Sequence, residues 1–205
     1  TVENVDDLQS LPSGWIVKEF RDVVEERSVK VNDTDYPPLS VTKTGIYPQL
    51  DDVVKSDDHD NRKLVLAGDY VINSRSDRKG SSGLSDLDGS VSTVNIVLNI
   101  KFPINPKYFQ YFMKSHWFKE VYYKYGNGIH EDVWSTRFSK LKLLNVFFPS
   151  SESQKLVVEF LSKLDELTVE LIAQQQLKSK LDIEYLESIK HYLIVGDRGV
   201  NHECS

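Results

Sequence analysis

The last third of the chain carries the plainest hydrophobic pattern. From Glu152 to about Ile194 there is no glycine or proline. Phe160, Leu164, Leu167 and Leu171 recur at spacings of four, three and four, and the phase continues through Leu181 and Tyr185. This periodicity predicts one apolar stripe along a single long helix. Gln174 and Lys178 fall on the same stripe, so its middle is polar. About 40 residues at 1.5 Å rise make a rod of about 60 Å, far longer than an average helix. Such a helix cannot bury its stripe against itself and calls for a partner helix. The alternative is a helix folded back on its own domain.

Before residue 150 the pattern is shorter and mixed. Leu11-Pro12-Ser13-Gly14-Trp15 reads as a turn into the first packed residue. Residues 15–24 mix apolar and charged positions and fit a short strand or a short helix. Residues 31–36 are polar and turn-rich, and Tyr36-Pro37-Pro38-Leu39-Ser40-Val41 enters an extended piece, because a residue before proline is pushed toward the β region. Residues 51–61 read as an acidic loop. Residues 63–74 read as two short strands around the turn Ala67-Gly68-Asp69. Gly80-Ser81-Ser82-Gly83 and Asp86-Leu87-Asp88-Gly89 read as loops, and residues 91–100 as one β-rich run. Asn105-Pro106 opens a helix through Tyr108, Phe109, Phe112 and Met113, with proline suited to the first turn.

Composition narrows the class. The 205 residues are 40% apolar and 27% charged, a globular balance. No stretch reaches the run of about 20 apolar residues needed to cross a bilayer. The first ten residues are acidic and polar, which is no signal-peptide pattern. The single cysteine, Cys204, can form no internal disulfide. These features predict a soluble cytoplasmic protein without a membrane partner. The net charge of −6 argues against nucleic acid, yet it hides a gradient. Residues 1–60 hold 6 Lys/Arg against 14 Asp/Glu, whereas residues 99–142 hold 8 against 3. A basic stretch therefore sits inside an acidic chain.

Catalytic motifs are missing. Asn105-Pro106-Lys107-Tyr108 superficially resembles the Asn-Pro-Pro-Tyr motif of adenine methyltransferases, but Lys107 replaces the second proline that helps grip a flipped base. Gly80-Ser81-Ser82-Gly83 is too short for a phosphate-binding loop and lacks its Gly-Lys-Ser/Thr end. Asp57-Asp58-His59-Asp60 is adjacent in sequence and does not converge naturally on one metal. The five histidines show no zinc spacing. There is no Glu-x-Lys of a restriction nuclease and no Gly-x-Ser-x-Gly elbow.

What remains is a set of polar loops rich in cations and amides. The richest runs from Asn73 through Arg75, Arg78 and Lys79 to Ser81 and Ser82. Arginine can hold a guanine edge with two hydrogen bonds, and serine and asparagine donate to phosphates or bases. A second loop carries Asn127 and His130, and Arg137 follows it.

The order of these segments resembles the type I restriction-modification specificity (S) subunits. Leu11-Pro12-Ser13-Gly14-Trp15 is similar to the opening of their target-recognition domain. The segment 36–46, which includes Lys43 and Thr44, is similar to their early strand and turn. Ala67-Gly68-Asp69-Tyr70-Val71-Ile72-Asn73 is similar to their central Gly-Asp-aromatic-Val strand. Gly80-Ser81-Ser82-Gly83, Asp88-Gly89-Ser90-Val91-Ser92, Asn105-Pro106-Lys107-Tyr108, Gly126-Asn127-Gly128-Ile129-His130 and residues 138–149 follow in the family's order. Ser153-Gln154-Lys155 stands where the family often has Glu-Gln-Lys before its long helix, with Ser in place of Glu.

The resemblance implies an α+β fold: a mixed α/β target-recognition domain over residues 1–150, then a coiled-coil-forming helix and tail over residues 151–205. It implies a non-catalytic host-defence subunit that reads one half of a bipartite double-stranded DNA target. The expected DNA contacts are Lys43, Thr44, Asn73, Arg75, Arg78, Lys79, Ser81, Ser82, Asn127, His130 and Arg137. The expected helix-pairing residues are Phe160, Leu164, Leu167, Leu171, Leu181 and Tyr185. Adenine methylation would be directed to methyltransferase (M) subunits carrying S-adenosylmethionine, and cutting to a restriction (R) subunit; this chain would hold no cofactor and no metal. Its helix would pair with a second recognition half or a second copy. Gly199-Val200-Asn201 resembles the segment leaving the first helix in full-length members and points to an excised N-terminal half rather than a natural half-subunit. The competing readings are an oligomerising coiled-coil scaffold without DNA specificity, which the acidic total favours, and a small enzyme with an unfamiliar site.

Overall fold

A computed structural model describes residues 11–49, 60–75, 78–124 and 137–195, the last five by backbone alone. The chain divides into two units, residues 1–158 and 159–205.

The first unit is built from short strands. Residues 15–24 satisfy both sequence readings at once. Ile16–Glu19 forms β1, and Phe20–Val23 then makes one helical turn, α1. The turn forms because Phe20 and Val23, three apart, both face the interior and are fully buried. The chain continues through β2 (Val24–Glu26), β3 (Lys30–Val31), β4 (Leu39–Val41), β5 (Ile46–Pro48), β6 (Arg62–Val65), β7 (Tyr70–Asn73), β8 (Ser82–Leu84), β9 (Gly89–Ser92) and β10 (Asn95–Ile100). Helices α2 (Pro106–Lys114), α3 (His116–Lys124) and α4 (Phe138–Leu141) follow, then β11 (Asn145–Phe148) and α5 (Ser151–Val195).

A central antiparallel sheet runs β2-β10-β7-β8, and a second sheet runs β3-β6-β9. Two further pairs are β1 with β11 and β4 with β5. The central strands are buried on both faces. Tyr70, Ile72, Ile96 and Leu98 pack on one side with Phe109, Phe112, Phe118 and Phe148. Val71 and Val97, one residue out of phase, pack on the other with Leu39, Val65 and Val91. The period-two geometry of a strand sends alternate residues into two separate cores. This explains why β7 and β10 read as unbroken apolar runs.

The two strands expected around Gly68 form: β6 joins β9 in the second sheet and β7 joins β10 in the central one. The structure corrects two local expectations. Residues 91–100 are two strands rather than one, broken at Thr93-Val94 and dealt to different sheets. Gly80-Ser81-Ser82-Gly83 is not wholly a loop. Gly80, at φ 79°, makes the turn, whereas Gly83 lies inside β8. Gly83 serves close approach: a Cβ there would lie 3.1 Å from the Cα of Gly45 in the neighbouring hairpin.

The helix read from residue 152 to about 194 spans Ser151–Val195, 45 residues, or about 67 Å at 1.5 Å per residue. Its first turns belong to the first unit. Gln154 is 3% exposed; its Nε2 donates to Pro149 O at 3.0 Å and its Oε1 accepts from Asn105 N at 3.0 Å. Val157 and Val158 pack against the larger core. Side chains 163–190 are all exposed.

Candidate nucleic-acid interface

One end of the central sheet collects the loops singled out in the sequence. In the register of that sheet Asn73, the last residue of β7, faces Asn95, the first of β10. Ile72 faces Ser82, the first of β8. The end of β7 and the starts of β8 and β10 therefore share one edge. Three connections emerge or arrive there: the segment 74–81, the turn 92–95, and the β4–β5 hairpin, whose Thr42 carbonyl accepts from Ser82 N at 3.1 Å.

The described residues after β7 are held by local hydrogen bonds. Asn73 Oδ1 accepts from Arg75 N at 3.2 Å, Arg78 N donates to Arg75 O at 3.1 Å, and Ser81 N donates to Arg78 O at 2.9 Å. Ser74 Oγ donates to Val94 O, which ties the segment to the turn before β10. Gly80 N donates to the Tyr123 hydroxyl at 2.8 Å, and Lys79 Nζ sits 5.2 Å from the centroid of the same ring. Burial, then the neighbouring Glu120, holds Tyr123 above its ordinary pKa despite the opposing Gly80 bond, so it stays a neutral hydroxyl. Arg75, Arg78 and Lys79 are exposed.

The remaining expected contacts divide. Lys43 and Thr44 are exposed at the tip of the β4–β5 hairpin, where Thr42 Oγ1 accepts from Thr44 N at 3.2 Å and Gly45 N at 3.1 Å. Lys114 Nζ, at the end of α2, donates to the Lys43 carbonyl at 3.3 Å. Arg137 and Arg75, 62 positions apart in sequence, line one groove of about 400 Å³ together with Lys63, Thr93 and Val94. Ser81 and Ser82 are 5% and 7% exposed, and Ser82 Oγ hydrogen-bonds the buried Tyr70 hydroxyl at 2.9 Å. They stand beneath the segment, beside a cavity of about 20 Å³, rather than on its surface. A cavity that small takes about one water. Asn127 and His130 lie outside the described residues.

Sequence reasoning missed Lys63, Lys114, Thr93 and Val94. Lys63 lies in a strand, where its Nζ reaches Glu26 Oε1 at 3.2 Å and Asn95 O at 2.8 Å. Nothing local marks it; only the pairing of β6 with its neighbours brings it to the groove. Lys114 was visible as one cation of the basic stretch. Among the described residues no three His, Cys, Asp or Glu side chains group as a metal site, and no helix is long and apolar enough to cross a membrane. The arrangement presents guanidinium and ammonium groups on a braced edge, a chemistry suited to phosphates and guanine edges.

Compared with curated protein sequences, the chain finds no match. Solved structures share its fold. The HsdS subunit from Thermoanaerobacter tengcongensis superposes with a TM-score of 0.59 at 17% identity, over 94% of this chain and 52% of that one. The type I restriction-modification S subunit from M. genitalium gives 0.55 at 20% identity, over 92% and 48%. A chain from a structure of complex assembly and conformational transition in the type I R-M system gives 0.56 at 14%, over 87% and 45%. The present chain thus spans about half the length of the structures it matches. The family model for the type I restriction modification DNA specificity domain matches residues 12–181, so the chain belongs to that family.

Proposed function

We propose that this chain reads one half of a bipartite DNA target and directs partner subunits of a type I restriction-modification complex to it. The observation that carries the reading is convergence. Lys43, Arg137 and the group Arg75, Arg78 and Lys79 come from three separated segments, and each lies on the end of the central sheet or in the groove beside it. This gives an acidic chain a local cationic surface of the kind phosphates require. In this reading residues 1–150 recognise DNA. Methyltransferase subunits carrying S-adenosylmethionine modify adenine, a restriction subunit cuts, and this chain itself performs no chemistry.

Residues 151–205 then serve assembly. Phe160, Leu164, Leu167, Leu171, Leu181 and Tyr185 are between 43% and 68% exposed. A stripe of that size in water favours a partner helix. The partner is a second recognition half or a second copy of this chain, paired antiparallel.

The test is selection of bound sequences from a randomised duplex library, followed by a salt series on the winner. Enrichment of one motif, with affinity falling steeply as salt rises, supports the reading. Equal binding to all duplexes, or none at low salt, refutes it and leaves the oligomerising scaffold, which the exposed stripe alone would serve.

A further inference from the structure

The turn between β9 and β10 has no evident task in the core. Ser92 and Val94 are exposed, Val94 to 44%, beside the groove lined by Arg75 and Arg137. Despite that exposure the turn is tightly fixed. Ser74 Oγ donates to Val94 O, Asn95 Nδ2 donates to Ser92 O at 2.9 Å, and Lys63 Nζ donates to Asn95 O at 2.8 Å. Three hydrogen bonds from three side chains hold four residues. The valine they present has a branched Cβ with few rotamers. A rigid apolar group in a groove that also holds Arg75, Arg137 and the Lys63–Glu26 pair loses little freedom on binding and is well placed to recognise something apolar in a charged setting.

On the DNA-reading proposal above, the geometry points to Val94 as a base reader. We infer that it packs against the 5-methyl group of a thymine in the major groove, with Arg75 and Arg137 flanking it. The thymine methyl is the apolar feature that a standard base pair displays in that groove. Arginines beside it supply contacts to phosphate oxygens or guanine edges, so one groove reads a methyl and its neighbours together. At about 400 Å³ the groove is in the size range of sites for base-sized groups.

The experiment uses the full chain and the duplex selected above. Each thymine is replaced singly by deoxyuridine, which removes only the methyl, and affinity is measured for the wild type and for Val94→Ala. At one position the wild type is expected to lose about fourfold, the worth of burying one methyl. Val94→Ala, already weakened by a similar factor, is expected to be indifferent to that same replacement. Equal losses in both proteins at every position, or no loss at any thymine, would overturn the inference while leaving DNA reading intact. Failure to select any motif would overturn both. Val94→Thr keeps the branched shape and one methyl, so it should retain part of the thymine preference, and it carries the test should the alanine variant be unstable.

Discussion

Asp69 is expected to be the most costly polar residue to remove from the first unit. It is 2% exposed and accepts from Arg27 Nε at 2.7 Å and Nη2 at 3.1 Å, a two-point charged contact. Its Oδ2 also accepts from Leu66 N at 2.9 Å, closing the turn that sends the chain from β6 to β7. Asp69→Ala leaves one backbone donor and a guanidinium without their acceptor. Breaking a buried pair costs about 3–5 kcal/mol. The Arg27 side chain is 21% exposed and keeps some hydration, so the lower end applies. About 3 kcal/mol is a large share of the 5–15 kcal/mol expected for a domain. It corresponds to roughly 6–12 °C in melting temperature for a unit of this size. Urea unfolding followed by tryptophan fluorescence measures it. Asp69 lies at the opposite end of β7 from Asn73, about 13 Å away along the strand. DNA affinity below the variant's transition should therefore equal that of the wild type. A loss under 1 kcal/mol would show that the ion pair contributes little. Unchanged stability with lost DNA binding would move Asp69 from the scaffold to the site.

Three further outcomes are expected. Arg75→Ala or Arg78→Ala should weaken binding to the selected duplex by about 1–3 kcal/mol where the residue reads a base, whereas a phosphate contact should instead lower the salt slope by about one; unchanged affinity and slope in both would remove the segment 73–82 from the interface. Leu167→Asp with Leu171→Asp should abolish concentration-dependent association in light scattering while leaving the urea transition of the first unit in place, and wild-type protein that stays monomeric at high concentration would rule out self-pairing. Stability should fall at alkaline pH. Burial pushes Tyr108 up to about 12, and Tyr70 and Tyr123 upward as well; the native state therefore holds these protons more tightly than the unfolded chain, whose tyrosines ionise near 10. The stabilisation is whole below about pH 10 and is lost as pH rises toward 12, on the order of 1–2 kcal/mol for Tyr108. A denaturation midpoint that stays flat across that interval would show these hydroxyls to be hydrated.

Elements with a long or chemically marked signature were legible. The 45-residue α5 announced itself by period alone. The start of α2 followed from Asn105-Pro106: Asn105 Oδ1 accepts from Lys107 N at 2.9 Å and Tyr108 N at 3.1 Å, the expected cap. Gln154, marked only by resemblance, has a physical reason: it clamps Pro149 and Asn105 to the first turn of α5. The strand pairings were not legible. Arg62–Val65 and Tyr70–Asn73 are both four-residue strands, and neither contains anything that assigns it to one sheet over the other. That choice rests on partners distant in sequence. Gly83 shows a second limit, because a glycine needed for close approach to Gly45 has the same letter as one needed for a turn.

The cationic surface shows only in part in the charge profile, for a related reason. Lys43 comes from the most acidic part of the chain, Lys63 and Arg75 from a stretch near neutrality, and Arg137 from the basic one. Averaging over long windows dilutes all but Arg137. Two register pairs, Asn73 with Asn95 and Ile72 with Ser82, bring the connections after β7 and before β10 to one edge, and the Ser82–Thr42 hydrogen bond adds the hairpin that carries Lys43. Net charge is therefore a weak guide where cations are gathered from separate loops. A −6 chain can still carry local clusters of cations, because many of its acidic residues lie elsewhere, ten of them in residues 143–205. Salt dependence should accordingly count the few cations on that edge and not the overall charge. A slope near zero at the selected site would contradict the assembly of that edge itself, not just the role of one arginine.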